Sequence, residues 1–181
     1  MTTDKADMSM DKIVIKKVSL SDIDDLQLIS KQTFLETFAD LNTESDMKKY
    51  LDENLSIDKL TSELIIPDSE FYFSSIYSNV IGYLKINFGQ AQTELKDQKA
   101  FEIERIYVLK EFHGKKAGQI LFDKALQIAA RKKADFIWLG VWEKNARAIS
   151  FYKKNGFVEF DRHIFILGDD AQTDIMMKRN L

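Results

Sequence analysis

The chain has 181 residues, of which 45% are hydrophobic and 12% aromatic, and this length and composition predict a single domain with a sizeable core. Its net charge of −3 argues against a general nucleic-acid binder, which needs an excess of Lys and Arg, and the lack of cysteine excludes disulfides and thiolate nucleophiles. The two histidines are far apart and no apolar run approaches about 18 residues, so we expect a soluble, cytoplasmic protein with no metal site and no membrane contact.

The N-terminal part of the chain predicts a tail, a strand and three helices. Residues 1–10 are polar and are expected to form an unanchored tail, which leaves residues 11–181 as the domain. Ser21 to Asp24 resembles a capping box that begins the first helix, and Pro67, the only proline, ends the third. The predicted elements are a strand at Lys12–Val18 and helices at residues 23–38, 43–55 and 56–66.

Acidic residues crowd this helical region. They are Asp22, Asp24, Asp25, Glu36, Asp40, Glu44, Asp46, Asp52 and Glu53. Carboxylates at such positions commonly cap helices or lie on solvated helix faces. They could also form an acidic wall that binds a positively charged substrate, and both interpretations stay open at this point.

A hairpin and a long strand follow. Glu70–Tyr77 and Val80–Phe88 are separated by Ser78-Asn79, which predicts an antiparallel pair, and the polar residues 90–99 predict a loop. Phe101–Leu109 then alternates between two faces, as a strand does. One face would carry Glu102, Glu104, Ile106 and Val108.

The loop after this strand is suited to an anion. From Ala117 the apolar residues recur at helical spacing, so that two glycines and two lysines lie at a helix N-terminus. A helix N-terminus presents free N–H groups and the positive end of the helix dipole, and the lysines add charge. Residues 113–118 therefore predict either a phosphate cradle or an ordinary glycine-containing turn.

The C-terminal part predicts one buried strand, a helix and two further strands. Phe136–Trp142 is continuously apolar, as expected of a strand covered on both faces. Asn145 can cap a helix at Ala146–Lys154, which Asn155-Gly156 would end. The last two strands are predicted at Phe157–Leu167 and Gln172–Lys178. The element order predicts an α/β fold with a mixed, mostly antiparallel sheet of about seven strands and helices on both faces.

Two sequence strings carry a family resemblance. The strand E-R-I-Y-V with its loop and helix, followed by WEKNARAISFYKKNGF, resembles the GCN5-related N-acetyltransferases over residues 11–181. The segment WLGVWEKN and the residues after it are similar to the PaiA branch, which acetylates polyamines. The second motif falls on Asn145, Ala148, Phe151, Tyr152, Lys154, Gly156 and Phe157.

The resemblance implies an enzyme that transfers the acetyl group of acetyl-CoA, without a metal, to a primary amine, in the first place a polyamine such as spermidine or spermine. The pyrophosphate would lie against residues 113–118, and main-chain groups of the central strand would bind the pantetheine arm. The expected coenzyme-binding residues are Ile106, Tyr107, Val108, His113, Gly114, Lys115, Lys116, Ala117, Gly118, Asn145, Tyr152 and Lys154.

The same resemblance names three acid–base candidates. Tyr152 matches the family's tyrosine, which would protonate the departing thiolate. Glu104, and after it Glu102, would take the proton that an ammonium must lose before it attacks. Two of the candidates have a structural alternative: Tyr152 could pack in the core, and Glu104 could pair with the neighbours of Arg105 or line a wet groove.

The loop departs from the family pattern at Lys116, where the family has glycine. We expect an ordinary right-handed backbone there, with the lysine side chain directed away from the backbone donors. Two other functions remain open: acetylation of a protein N-terminus, an amino acid or a drug amine, and coenzyme binding by a regulator with little turnover. The resemblance also suggests a homodimer, and no nucleic-acid or membrane partner is expected.

Overall fold

The computed structural model describes residues 13–181, so the predicted tail at residues 1–10 and the first residue of the predicted strand, Lys12, lie outside the described residues. The strands are β1 (Ile13–Lys17), β2 (Ser69–Ile76), β3 (Asn79–Phe88), β4 (Ala100–Val108), β5 (Phe136–Trp142), β6 (Val158–Leu167) and β7 (Asp170–Asn180). The helices are α1 (Ile23–Phe38), α2 (Glu44–Asn54), α3 (Ile57–Leu64), α4 (Ala117–Arg131) and α5 (Ala146–Lys154).

The seven strands form one sheet in the order β1-β2-β3-β4-β5-β7-β6. Only β4 and β5 pair in parallel, so the predicted mixed, mostly antiparallel sheet is confirmed. A core on one face joins α1, α2 and α3 to the sheet through side chains such as Leu26, Met47 and Leu60. The core on the opposite face joins α4 and α5 through residues such as Phe122 and Tyr152.

Two local predictions need correction. A capping box of Ser19 and Asp22 begins the short 3-10 turn Leu20–Asp22 that precedes α1, and in it the Asp22 carboxylate accepts from the Ser19 N–H at 3.0 Å. The predicted box from Ser21 to Asp24 is therefore wrong by two residues. The β2–β3 turn lies at Tyr77-Ser78, one position before the prediction, with Tyr77 in a left-handed conformation at φ 55°.

A β-bulge breaks the predicted alternation of β4. Lys85 of β3 lies opposite Arg105, but the next residue, Ile86, lies opposite Ile103, so Glu104 is an extra residue without its own partner. Ile103 and Ile106 consequently both pack in the core beneath α4 and α5. Strict alternation would place two residues three positions apart on opposite faces of the sheet. The strict alternation expected from Phe101 to Leu109 is wrong at Glu104, because one inserted residue exchanges the faces of all that follow.

The parallel strands β4 and β5 separate soon after they meet. They pair only where Ala100 to Glu102 lie opposite Phe136 to Trp138. The main chain of β4 from residue 103 to residue 108, about 20 Å of strand, therefore has no partner on the β5 side. This separation leaves the main chain of the central strand accessible and opens the site described next.

Candidate active site

Two cavities meet at the separation of β4 and β5. The outer groove, of about 570 Å³, lies between the end of β4, the loop before α4, and α5. The inner cavity, of about 350 Å³, is lined by β4, β5, β6 and side chains of α1. The residues that line both are Ile106, Tyr107, Asn145, Ala148 and Tyr152. A molecule lying in the groove would therefore reach the cavity beside Tyr152.

The outer groove has the features of an anion site. The start of α4 and the loop before it lie in its wall, and the first N–H groups of a helix have no partner within the helix. A Cβ atom at Gly114 or Gly118 would meet no other atom within 4 Å, so the loop backbone is open to a ligand. Lys116, Arg147 and Lys154 add positive charge to the lining.

Lys116 has a left-handed backbone, with φ 61° and ψ −3°, directly before α4. The expected right-handed conformation is therefore wrong. The chain turns at Gly114, itself at φ 75°, and must turn again to enter the helix, which places lysine where glycine would be free of strain. A non-glycine residue in this conformation costs roughly 1–2 kcal/mol. The side chain is exposed.

Two hydrogen bonds fix the loop before α4, one of them exposed and the other half-buried. His113 donates from Nε2 to the main-chain oxygen of Val108 at 2.7 Å, and burial lowers the pKa of this imidazole. The carboxylate of Glu36 accepts from the N–H of Lys110 at 2.7 Å. His113 therefore fixes the loop to the end of β4.

Most of the predicted coenzyme residues line the outer groove. They are Ile106, Tyr107, Val108, His113, Gly114, Lys116, Gly118, Asn145, Tyr152 and Lys154. The side chains of two others do not: Lys115 lies with its ammonium 5.3 Å from the centre of the Phe112 ring, and Ala117 is buried in the core. Arg147 also lines the groove but was not predicted, because basic residues on a helix are common on solvated surfaces.

Tyr152 and Asn145 stand where the two cavities meet. The Asn145 side chain accepts from the N–H of Ala148 at 3.1 Å and caps α5 as predicted. Tyr152 is buried among aromatic rings, with the centres of Phe151 and Phe157 at 5.4 and 5.6 Å. Burial raises the pKa of the Tyr152 phenol, so it is a neutral hydroxyl at physiological pH.

Glu104 belongs to a largely buried group of four charges, which we call the ion quartet: Glu63, Lys85, Glu104 and Arg105. Glu104 lies 2.6 Å from Lys85 Nζ and 3.1 Å from an Arg105 nitrogen, and Glu63 pairs with the same two cations at 3.0 and 2.8 Å. Burial acts to raise the pKa of Glu104, but Arg105 and Lys85 outweigh it and hold that pKa at about 2. Two acids and two bases leave the quartet with no net charge.

Glu102 has different surroundings, although it lies in the same cavity wall. Its carboxylate accepts from the N–H and hydroxyl of Thr93 and from Asn87 Nδ2, the last at 2.9 Å. No lysine or arginine of residues 13–181 forms an ion pair with it. Burial raises the pKa of the Glu102 carboxyl, and the neighbouring charge of Glu104 adds to that shift.

The sequence analysis did not predict three further ionisable residues of the inner cavity, Glu94, His163 and Asp174. His163 of β6 lies between two acids, with Nδ1 2.8 Å from Glu94 and Nε2 3.5 Å from Asp174 of β7. The contact with Asp174 raises the pKa of His163, although burial opposes it. These residues share no motif, and only the pairing of β6 with β7 and the course of the 93–95 loop bring them together.

The acids of the helical region line neither cavity. Asp22 and Asp52 instead pair with Lys16 and Lys48 at the surface, and Asp46 accepts the N–H of Asp169. Of the two interpretations that the sequence left open, the structure supports caps and solvated helix faces, and these helices form no acidic wall at either cavity. The negative wall exists, but it comes from the sheet and from the loop before β4.

Residues 31–157 match the acetyltransferase (GNAT) family. The chain is also 40% identical over 172 residues, 95% of its length and 99% of the relative's, to an uncharacterized N-acetyltransferase in the pepI 3′ region of Lactobacillus delbrueckii subsp. lactis. The chain belongs to the GNAT family. It is an acetyl-CoA-dependent N-acetyltransferase.

Two further GNAT relatives come from Thermoplasma acidophilum. A spermidine N(1)-acetyltransferase is 28% identical over 149 residues, which are 80% of this chain and 88% of the relative. The crystal structure of a PaiA N-acetyltransferase in complex with coenzyme A superposes with a TM-score of 0.78 at 25% identity, over 93% of this chain and 99% of the other.

The outer groove fits the coenzyme of a GNAT enzyme. A phosphate suits the open loop backbone with its cationic rim, and the unpaired main chain of β4 suits the peptide-like pantetheine arm. In residues 13–181 no group of acidic or histidine side chains is arranged to hold a metal ion. None of the described helices is long and apolar enough to cross a membrane.

Proposed function

We propose that this acetyltransferase acts on a polyamine such as spermidine or spermine. The observation that carries the proposal is the charge of the inner cavity. The ion quartet carries no net charge. Glu94, Glu102 and Asp174 have no lysine or arginine partner among residues 13–181, and His163, which contacts Glu94 and Asp174, is their one basic neighbour in the cavity lining outside the quartet. A cavity with surplus negative charge and apolar walls attracts a ligand with several ammonium groups.

Two further observations support a polyamine over other amines. The side chains of Ile164 and Ile166 line the cavity although they are 63% and 54% exposed, so they can contact the methylene segments between ammonium groups. One relative that matches 80% of the chain is named a spermidine acetyltransferase.

In the proposed reaction, acetyl-CoA supplies the acetyl group as a thioester, and the amine nitrogen forms a bond to its carbonyl carbon as the carbon–sulfur bond breaks. The acceptor nitrogen loses one proton before it attacks and a second as the amide forms, and the departing thiolate gains one. Tyr152 supplies the proton of the thiolate, because its buried phenol stays neutral and lies where groove and cavity meet, and the proton released as the amide forms restores the phenol. A main-chain N–H of Ile106 to Val108 polarises the carbonyl.

Glu102 is the proposed proton acceptor, in preference to Glu104. A carboxylate with a pKa of about 2 that is paired with two cations has little tendency to take a proton at neutral pH. Glu102 has no cationic partner, and burial raises its pKa toward the working range of a base. The transfer to Glu102 can be direct or through one water.

The test compares two acceptors in the purified protein with acetyl-CoA: spermidine and an alkylamine of matched length. We expect a higher kcat/KM for spermidine, and we expect added salt to reduce the difference, because the surplus charge of the cavity is screened. Glu94→Gln and Asp174→Asn should lower kcat/KM for spermidine several-fold and leave the alkylamine unchanged. Glu159→Gln, an exposed site on β6 outside the cavity, is the control.

Equal kcat/KM values for spermidine and the alkylamine would contradict a polyamine acceptor. A panel that includes an amino acid and a peptide with a free N-terminus identifies the acceptor in that case.

A further inference from the structure

We propose that Asn87 is a positioning residue for the acetyl transfer: held in place by Ser69, it fixes the Glu102 carboxylate in the wall of the inner cavity so that Glu102 receives the amine proton. The inference rests on the proposed role of Glu102 as the base. Asn87 lies on β3 and lines neither cavity, so it acts through Glu102 and does not touch the acceptor.

The Asn87 amide joins both cavity glutamates. It is buried, and its Nδ2 donates to Glu102 at 2.9 Å and to Glu104 at 2.7 Å. Its Oδ1 accepts from the hydroxyl of Ser69 at 2.8 Å. Two carboxylates can be bound only by the NH₂ side of an amide, and the Ser69 hydroxyl binds the other side, so the orientation of Asn87 is determined.

The β-bulge makes this double contact possible. Asn87 lies directly opposite Glu102 in the β3–β4 pairing. In a regular strand Glu104 would lie two residues further along, opposite Lys85, but the bulge gives that place to Arg105 and leaves Glu104 free to turn back toward Asn87. One amide thus separates two carboxylates that would otherwise repel each other without a donor between them.

The two carboxylates differ because their other partners differ. Glu104 is neutralised by Lys85 and Arg105, whereas the other contacts of Glu102 are those from Thr93. Hydrogen bonds from Asn87 and Thr93 stabilise the ionised form of Glu102, and burial and Glu104 oppose ionisation. Removal of Asn87 should therefore raise the pH at which Glu102 becomes ionised, besides loosening its position.

The test is the pH profile of kcat/KM for Asn87→Leu, a change of similar volume, and for Ser69→Ala, with the acceptor that the wild-type protein acetylates. We expect the acid limb to move to higher pH, by about one pH unit for Asn87→Leu and less for Ser69→Ala. The ionisation of the amine itself is the same for all variants, so a difference in the acid limb between variants reports an ionisation of the enzyme. Gln172→Leu removes another buried amide outside both cavities and should leave the limb in place.

A uniform loss of activity with an unmoved acid limb in Asn87→Leu and Ser69→Ala would show a merely structural role and overturn the inference. If Asn87→Leu does not fold, the Ser69→Ala profile decides alone. Glu102→Gln, measured in parallel, separates the base role of Glu102 from the positioning role of Asn87. If Glu102→Gln abolishes the acid limb while the Asn87 and Ser69 variants leave the limb unmoved, only the positioning role of Asn87 fails. If Glu102→Gln keeps both activity and limb, the proposed base role fails.

Discussion

Two exposed lysines with left-handed backbones lie at the two ends of α4, and they allow the coenzyme loop to be tested cleanly. Lys116 precedes the helix at φ 61° and lines the outer groove, and Lys133 follows it at φ 57° and lies outside both cavities. Replacement of either by glycine relieves the same backbone strain. Only the replacement of Lys116 also removes a charge from the coenzyme groove.

The size of the stability effect follows from the backbone angles. The left-handed conformation costs a lysine roughly 1–2 kcal/mol, and glycine gives back about 0.4–1 kcal/mol because the unfolded chain becomes more flexible. Lys116→Gly and Lys133→Gly should each stabilise the fold by about 0.5–1 kcal/mol, which raises Tm by about 1–4 °C in a chain of this length. Thermal unfolding measures this, and Lys116→Ala, which keeps a Cβ, should show no gain.

Calorimetric titration with acetyl-CoA measures the effect on the coenzyme. The exposed charge of Lys116 is worth at most about 1 kcal/mol, so Lys116→Gly and Lys116→Ala should each weaken binding by no more than about fivefold. Lys133→Gly should bind as the wild type does. If Lys116→Gly instead binds more than about tenfold tighter, the lysine Cβ keeps the coenzyme from the loop backbone, and our account of the groove is refuted.

Two shorter predictions concern Tyr152 and Gly168. Tyr152→Phe should lower kcat by about 10- to 1000-fold with coenzyme affinity little changed, as expected for loss of a proton donor, and wild-type turnover in steady-state assays would remove Tyr152 from the mechanism. Gly168→Ala should destabilise the fold by about 2–3 kcal/mol in urea denaturation, since its Cβ would lie 2.5 Å from the Asp46 Cα and φ is 64°; an unchanged midpoint would contradict this contact.

The parts of the site that the sequence predicted are local in the chain. The β4–loop–α4 unit, the Asn145 cap and the α5 motif each lie within a few dozen residues and depend on alternation, helical spacing or a capping side chain. Each of these signals can be recognised from the residues of the segment itself, without knowledge of its partners in the fold. The left-handed backbone of Lys116 is the exception, since lysine seldom adopts it and the sequence favours the ordinary conformation.

The β4 bulge could not be predicted from hydrophobic pattern. Apolar residues follow the bulge on both faces of β4, and a core covers each face, so Ile106 and Tyr107 would be buried with or without the extra residue. The bulge nevertheless decides which carboxylate joins the ion quartet. The proximity of His163, Asp174 and Glu94 could not be predicted either, because the folded chain brings together residues that are far apart in the sequence.

The contrast between Glu104 and Glu102 also predicts opposite effects on stability as the pH changes. The folded-state pKa of Glu104, about 2, lies below the ordinary value of about 4.3, so its contribution is fully present above that value and is lost as the pH falls toward 2. A shift of this size is worth roughly 3 kcal/mol.

The two glutamine variants test this sign directly. Glu104→Gln should be clearly less stable than wild type in urea denaturation at pH 7, and at pH 3 the difference should fall to less than half, because the wild-type protein has then lost most of the same contribution. The folded-state pKa of Glu102 is raised, so its ionised form weakens the fold at neutral pH. Glu102→Gln should therefore be at least as stable as wild type at pH 7, and any advantage should vanish on acidification. A Glu104→Gln difference of equal size at pH 7 and pH 3 would show that the ion quartet does not hold Glu104 ionised, and Glu104 would then return as a candidate base.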